Sequence, residues 1–173
     1  MKLQLFIPFI VIIAVSCGPF PHQVMQEVTR DIPYNEVVKA PETFRGSIVL
    51  WGGVIVETIT RSNDTLIIVR ETQLDFRKRP RNTDKSAGRF IIRHQGFLDP
   101  AIYSREREVT VVGMLTGKEE RSVGELLYSY PVIEPRSLKL WEQWTDPPYW
   151  YDPWYRDPFP YPWLPCPRPH RRW

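Results

Sequence analysis

The chain has 173 residues and a formal net charge of +3, enough for one domain of about 100–150 residues with appendages. So small a charge gives no argument for nucleic acid by itself, and an apolar fraction of 42% is that of an ordinary globular protein. The outliers are 18 prolines, half of them after Thr145, and 7 tryptophans. The two cysteines, Cys17 and Cys166, stand near opposite ends in segments of different character. Nothing in their placement suggests a disulfide, although sequence leaves one open.

Met1-Lys2 is a short positive start, Leu3 to Val15 is almost wholly apolar, and Ala14-Val15-Ser16 leads into Cys17. A charged start, a short apolar stretch and small residues at its end describe a secretory signal. The run is shorter than the roughly 20 residues of a transmembrane helix, and Pro8 disfavours a long one. Ala14-Val15-Ser16-Cys17 resembles the bacterial lipobox, with the small Ser16 before the cut and Ala14 where Leu is commoner. The resemblance implies a signal peptide at 1–16 and a thioether-linked diacylglycerol, with further acylation by palmitate or a similar chain, on Cys17. Each buried methylene is worth about 0.8 kcal/mol, so several acyl chains together hold firmly where one does not. Gly18, rather than Asp, implies sorting to the outer membrane. A plain secretory signal that happens to end near a Cys, or an uncleaved anchor, is the alternative at this point.

Residues 17–40, with Pro19, Pro21 and Pro33 among polar residues, read as a lipidated tether with one helical turn at 24–29. Pro41 to Gly46 suggests a single turn feeding a strand. Ser47–Ile59 is the first strand, rich in β-branched residues and interrupted by Gly52-Gly53, which suggests a bulge or sharp coil. Arg61 to Asp64 is a turn, and Thr65–Leu74 a second strand. Asp75–Ala87 is a polar loop holding Arg77, Lys78, Arg79, Arg81 and Lys85. Gly88–His94 is a third strand, and Gly96 to Pro100 a compact turn in which Asp99 caps and Phe97 and Leu98 plug the interior. A short helix is expected at 101–105. Glu108–Thr116 is a fourth strand, with Val109, Val111, Gly113 and Leu115 on one face and Thr110, Val112 and Met114 on the other. Leu126–Glu134 is a fifth, made an edge or bulged strand by Pro131.

These elements give a mainly β domain at 41–144: a small five-stranded, partly open barrel of the oligonucleotide/oligosaccharide-binding type (OB-like), with short helical connectors. A β-sandwich of similar size is the competing fold. The tail, 145–173, is nearly one-third proline and nearly one-third aromatic, so it is expected to be irregular or polyproline II. Its Trp150, Tyr151, Trp154, Tyr155, Tyr161 and Trp163 form a possible interaction surface for a glycan, a lipid interface or a protein. Packing of those rings over an open face of the barrel is the equal alternative.

The barrel residues resemble the Slp family of enterobacterial outer-membrane lipoproteins, inducible by starvation or stationary phase. The resemblance is carried by Phe44-Arg45-Gly46, Trp51-Gly52-Gly53-Val54-Ile55, Thr65 to Val69 and Leu74-Asp75. It continues in Gly88-Arg89-Phe90, Gly96-Phe97-Leu98-Asp99-Pro100 with Tyr103, and Val109 to Gly113, covering about residues 40 to 145. It implies an outer-membrane location and an association with stress, and it brings no catalytic residues.

No chemistry stands out. His22, His94 and His170 lack partners at metal-ligand spacing, no nucleophile stands beside a base, and Gly52-Gly53 lacks the spacing of a phosphate loop. No enzyme activity, metal or cofactor is expected beyond the lipid on Cys17. An Arg89–Asp99 pair at the barrel mouth is one hypothesis. The basic loop at 77–85 would fit nucleic acid in another setting, but an exported chain meets little of it. Anionic lipid headgroups or phosphate-bearing lipopolysaccharide fit better, against the plainer reading of a solvated loop. Cys166, among prolines, could pair with another chain in an oxidising compartment. The expectation is a lipid-anchored outer-membrane protein that supports the envelope under starvation or stress through an unknown protein or glycan partner. The alternative is a periplasm-facing OB-like module that binds a small ligand or glycan.

Overall fold

The computed structural model describes residues 18–28, 32–81 and 84–143, leaving aside the side chain of Val123. The signal segment 1–16, Cys17 and the tail residues Trp150, Tyr151, Trp154, Tyr155, Tyr161, Trp163, Cys166 and His170 lie outside the described residues. The elements in chain order are α1 (His22–Gln26), α2 (Tyr34–Lys39), β1 (Ile48–Thr60), β2 (Asp64–Glu71), β3 (Arg89–Gln95), β4 (Glu108–Val123) and β5 (Leu126–Leu140).

The strands close on themselves in the order β1-β2-β3-β5-β4 and back to β1. All pairs are antiparallel except β3 with β5. Closure rules out the sandwich. The seam between β3 and β5 is the thinnest, with Ile91 opposite Val132 and Ile92 opposite Ile133, and this is where the ring is least complete.

Alternation sorts the side chains, because successive residues of a strand point to opposite faces. Val49, Trp51, Ile55, Ile67, Val69, Phe90, Ile92, Val109, Val111, Leu115 and Ile133 fill the interior. Trp51 meets Phe90 edge-on, with ring centroids 5.5 Å apart. The opposite parity makes two outer clusters. Leu66, Ile68 and Ile91 lie with Tyr130 and Val132 of β5. Ile48 and Val112 lie under Phe20, with Val24, Met25, Leu50 and Met114 around them. The face assignment of β4 made from sequence therefore holds.

Gly52-Gly53 serves a different purpose from a bulge. The register shift in β1 falls between Ile55 and Glu57, whereas a Cβ on Gly53 would stand 1.9 Å from the Arg70 carbonyl oxygen. The glycine lets β2 approach β1 while β1 also pairs with β4 through Gly53 and Val109. β2 ends at Glu71, earlier than the pattern suggests, although the Thr72 N–H still donates to the Gly52 carbonyl in register with β1. β4 and β5 run well past the expected ends as a hairpin, with Val123 opposite Leu126. Before Val132 β5 pairs only with β4, so Pro131 does sit on an edge, as its missing N–H requires.

Other expectations are corrected. The segment read as a tether carries core residues: Phe20, Tyr34 and Val37 are buried, and α2 delivers Tyr34 and Val37 into the interior cluster. The helical turn expected at 24–29 lies at His22–Gln26. Residues 101–105 form turns rather than a helix, a single turn in which the amides of Ile102 and Tyr103 both donate to the Asp99 carbonyl. Phe97 does not plug the interior; it is 68% exposed, and Leu98 packs against the core in its place.

Candidate functional site

The outer face of β1 and β4 gathers the features closest in sequence to Cys17. Phe20 is buried there against Ile48 and Val112. Cys17, outside the described residues, precedes Phe20 by three positions in sequence. α1 follows directly and keeps its polar side outward, with His22, Gln23 and Gln26 exposed. Glu27 of this segment forms an ion pair with Arg136 of β5.

Further along the same face, Gly52 and Thr110 share the outward parity of Leu50 and Val112. They are covered by the loop after β2. Leu74 lies where a Gly52 side chain would be, and the Thr110 hydroxyl donates to the Lys78 carbonyl at 2.8 Å. Asp75 shapes this loop by accepting the amides of Arg77 and Arg79 at 2.8 and 2.9 Å. Arg79 pairs with Glu108 at 2.5 Å, donates to the Glu142 carbonyl and lies over Trp141. Trp141 donates its indole N–H to Thr110. The basic loop is therefore divided: Arg79 is spent on holding the loop down, while Phe76 and Arg77 are exposed, with the guanidinium 5.3 Å from the ring centre.

A cleft of about 650 Å³ opens beside this loop, lined among others by Tyr34, Trp51, Thr72, Lys78, Arg81 and Lys85, with Glu71 and Asp75 also on its wall. The Thr72 hydroxyl is buried there without a hydrogen-bond partner among the described residues. A second cleft of about 500 Å³ lies under the hairpin, between Val56, Ile59 and Ile68 on one side and Glu119, Arg121 and Tyr130 on the other. Glu119 there is shared by Arg61, Arg93 and Arg121.

At the start of β3, the Tyr34 hydroxyl donates to the Arg89 carbonyl at 2.8 Å and accepts the Arg89 amide at 3.0 Å. The Tyr128 hydroxyl accepts the same amide at 3.3 Å. Burial, and then the contact with Tyr128, push the Tyr34 phenol well above its ordinary range. The pair proposed between Arg89 and Asp99 does not exist. β3 runs extended from Arg89 to Gln95, about 20 Å at roughly 3.3 Å per residue, and Asp99 lies in the turn beyond it. Asp99 instead accepts the Ala101 amide, as a turn cap.

Among the described residues, no three His, Cys, Asp or Glu side chains converge on a metal-sized site. No helix among them is long and apolar enough to cross a membrane. Of the anchor, sorting and tail residues expected from sequence, only Gly18 is described, and it is exposed. Sequence reasoning missed Phe20 and Phe76. The signal that could have found the first is an aromatic three residues after a lipobox-type Cys.

Residues 15–167 match the outer membrane lipoprotein Slp family. The chain belongs to that family. It is accordingly an outer-membrane lipoprotein. The chain is 32% identical over 122 residues to the uncharacterized lipoprotein YeaY of Escherichia coli K12, covering 69% of this chain and 63% of that relative. It is 29% identical to an uncharacterized protein of Haemophilus influenzae, over 90% of this chain and 85% of the other. To the outer membrane protein Slp of Escherichia coli K12 it is 25% identical, over 73% and 68% of the two chains. No solved structure matches, so the OB-like description of this Slp-family barrel rests on its strand count, closure and order.

Proposed function

We propose that this Slp-family chain is a non-enzymatic envelope protein, held at the outer membrane by a diacylglycerol on Cys17 and sorted there by Gly18. It supports the envelope under starvation or stress by binding a protein or glycan partner, with Trp150, Tyr151, Trp154, Tyr155 and Trp163 of the tail as the contact surface. The observation that carries the reading is the lipobox-type Ala14 to Cys17 standing three residues before a buried Phe20. A lipid on Cys17 then tethers a folded barrel closely instead of on a long arm. Labelling cells with radioactive palmitate tests the anchor: wild-type protein takes label and Cys17→Ala does not. Equal labelling of both, or none in the wild type, ends the reading. In-cell crosslinking from Trp150 or Trp154 tests the partner.

The second reading is a module for a small ligand or glycan. It is favoured by the cleft beside β1, where the Thr72 hydroxyl is buried and unpaired. A native structure leaves few such groups, because each costs about 1–3 kcal/mol. A saturable rise in Tm with one compound of a glycan and metabolite panel, lost in Thr72→Val, supports it; a flat response across the panel opposes it.

A further inference from the structure

We infer that the outer face of β1 and β4 lies against the bilayer, and that Phe76 with Arg77 seats in its anionic phospholipid headgroup region beside the Cys17 lipid. The inference rests on the lipid anchor of the preceding section and adds how the barrel is oriented on it.

Two constraints on one face carry the argument. Phe20 pins the chain, three residues after Cys17, to the outer residues Ile48 and Val112. The loop after β2 is pinned to the same face by Lys78 on Thr110 and Arg79 on Glu108. Thr110 and Glu108 stand only about 7 and 13 Å along β4 from Val112. Phe20 and the anchor points of the loop therefore share one face of the barrel, within about 13 Å along β4. That tip has interface chemistry. Phe76 is 85% exposed, which wastes a large apolar ring in water but suits the headgroup boundary. Arg77 lies over the ring and is itself exposed, so its charge can meet lipid phosphates. α1 adds no competing apolar contact, since its outward side chains are polar. The loop is also built to hold this pose: Asp75 fixes the backbone of Arg77 and Arg79. The folded protein thus presents a preordered tip and not a floppy arm.

The test uses the full mature lipoprotein in vesicles of phosphatidylethanolamine and phosphatidylglycerol, with Cys166→Ser and a nitroxide on Phe76→Cys. A second sample carries the label on Gln95→Cys, at the exposed end of β3, which lies across the ring from the β1–β4 pair. Collision rates with oxygen and with a water-soluble nickel complex are compared. The expected result is an oxygen-to-nickel ratio several-fold higher at position 76 than at 95, falling when phosphatidylglycerol is omitted. Flotation of the vesicles separates the two claims. Protein that floats while both labels stay equally aqueous overturns the orientation and leaves the anchor standing. Protein that fails to float overturns both. Shielding of position 76 only when lipopolysaccharide is added, or only when the chain self-associates in detergent, overturns the phospholipid assignment.

Discussion

Replacing Phe20 by Ala separates the two halves of the account, since it leaves the lipobox intact and removes the latch. The ring is 6% exposed among Ile48, Val112 and their neighbours. A buried Phe covers on the order of 200 Å², which at about 25 cal/mol per Å² sets an upper bound of roughly 5 kcal/mol. Phe→Ala changes in closed cores cost about 3–5 kcal/mol. Phe20 lies in an outer cluster, however, and α1 can lift away without opening the strand ring. The loss is then limited to the docking energy of this segment, about 2–3 kcal/mol. For a domain of this size that lowers Tm by about 10 °C. Hydrogen exchange on the full chain gives the site-resolved answer: amides of residues 22–28 lose protection while those of β1 to β4 keep theirs. An unchanged Tm together with unchanged exchange at 22–28 refutes the latch. Global loss of protection refutes the claim that α1 is separable.

Four further outcomes follow from particular contacts. Gly53→Ala forces a methyl group into the Arg70 carbonyl and should abolish the cooperative thermal transition. Gly46→Ala, at φ +84 in open space, should cost only about 1 kcal/mol. Tyr34→Phe removes the bonds to both Arg89 backbone groups and should lower stability by about 1–3 kcal/mol in urea titrations. Because the Tyr34 phenol is held above its unfolded value, its contribution is full below the ordinary tyrosine pKa near 10 and is lost as pH rises beyond it; Tyr34→Phe should flatten that alkaline fall. Gly18→Asp should move the protein from the outer-membrane to the inner-membrane fraction of a density gradient with no change in Tm.

The strands were legible wherever alternation and β-branching agreed. Val109, Val111, Val112 and Leu115 announce both faces of β4, and Ile67, Ile68 and Val69 announce a strand buried on both sides. The hairpin beyond Leu115 was hidden because Gly117 followed by Lys118, Glu119, Glu120 and Arg121 lacks the apolar alternation of a strand. Some of their ion pairs are local, Lys118 with Glu120 and Arg121 with Glu119, but Glu119 also reaches Arg61 and Arg93, far away in sequence. Tyr34 and Val37 were hidden for another reason. A helix of six residues after Pro33 shows too little periodicity, so a core contribution resembled a linker. The basic loop was legible as charge but not as structure, because Glu108, which takes up Arg79, lies 29 residues on. The glycine pair suggested a bulge or sharp coil, whereas the reason for it, close approach of the Arg70 carbonyl, is a tertiary fact.

The central claim is that this Slp-family barrel is held to the outer membrane through Cys17. It is tested most directly by the mass of the N-terminal peptide of protein isolated from outer membranes. The account predicts a chain that begins at Cys17 and carries a thioether-linked diacylglycerol. A peptide with an unmodified Cys17 thiol, or one that still contains residues 1–16, contradicts it.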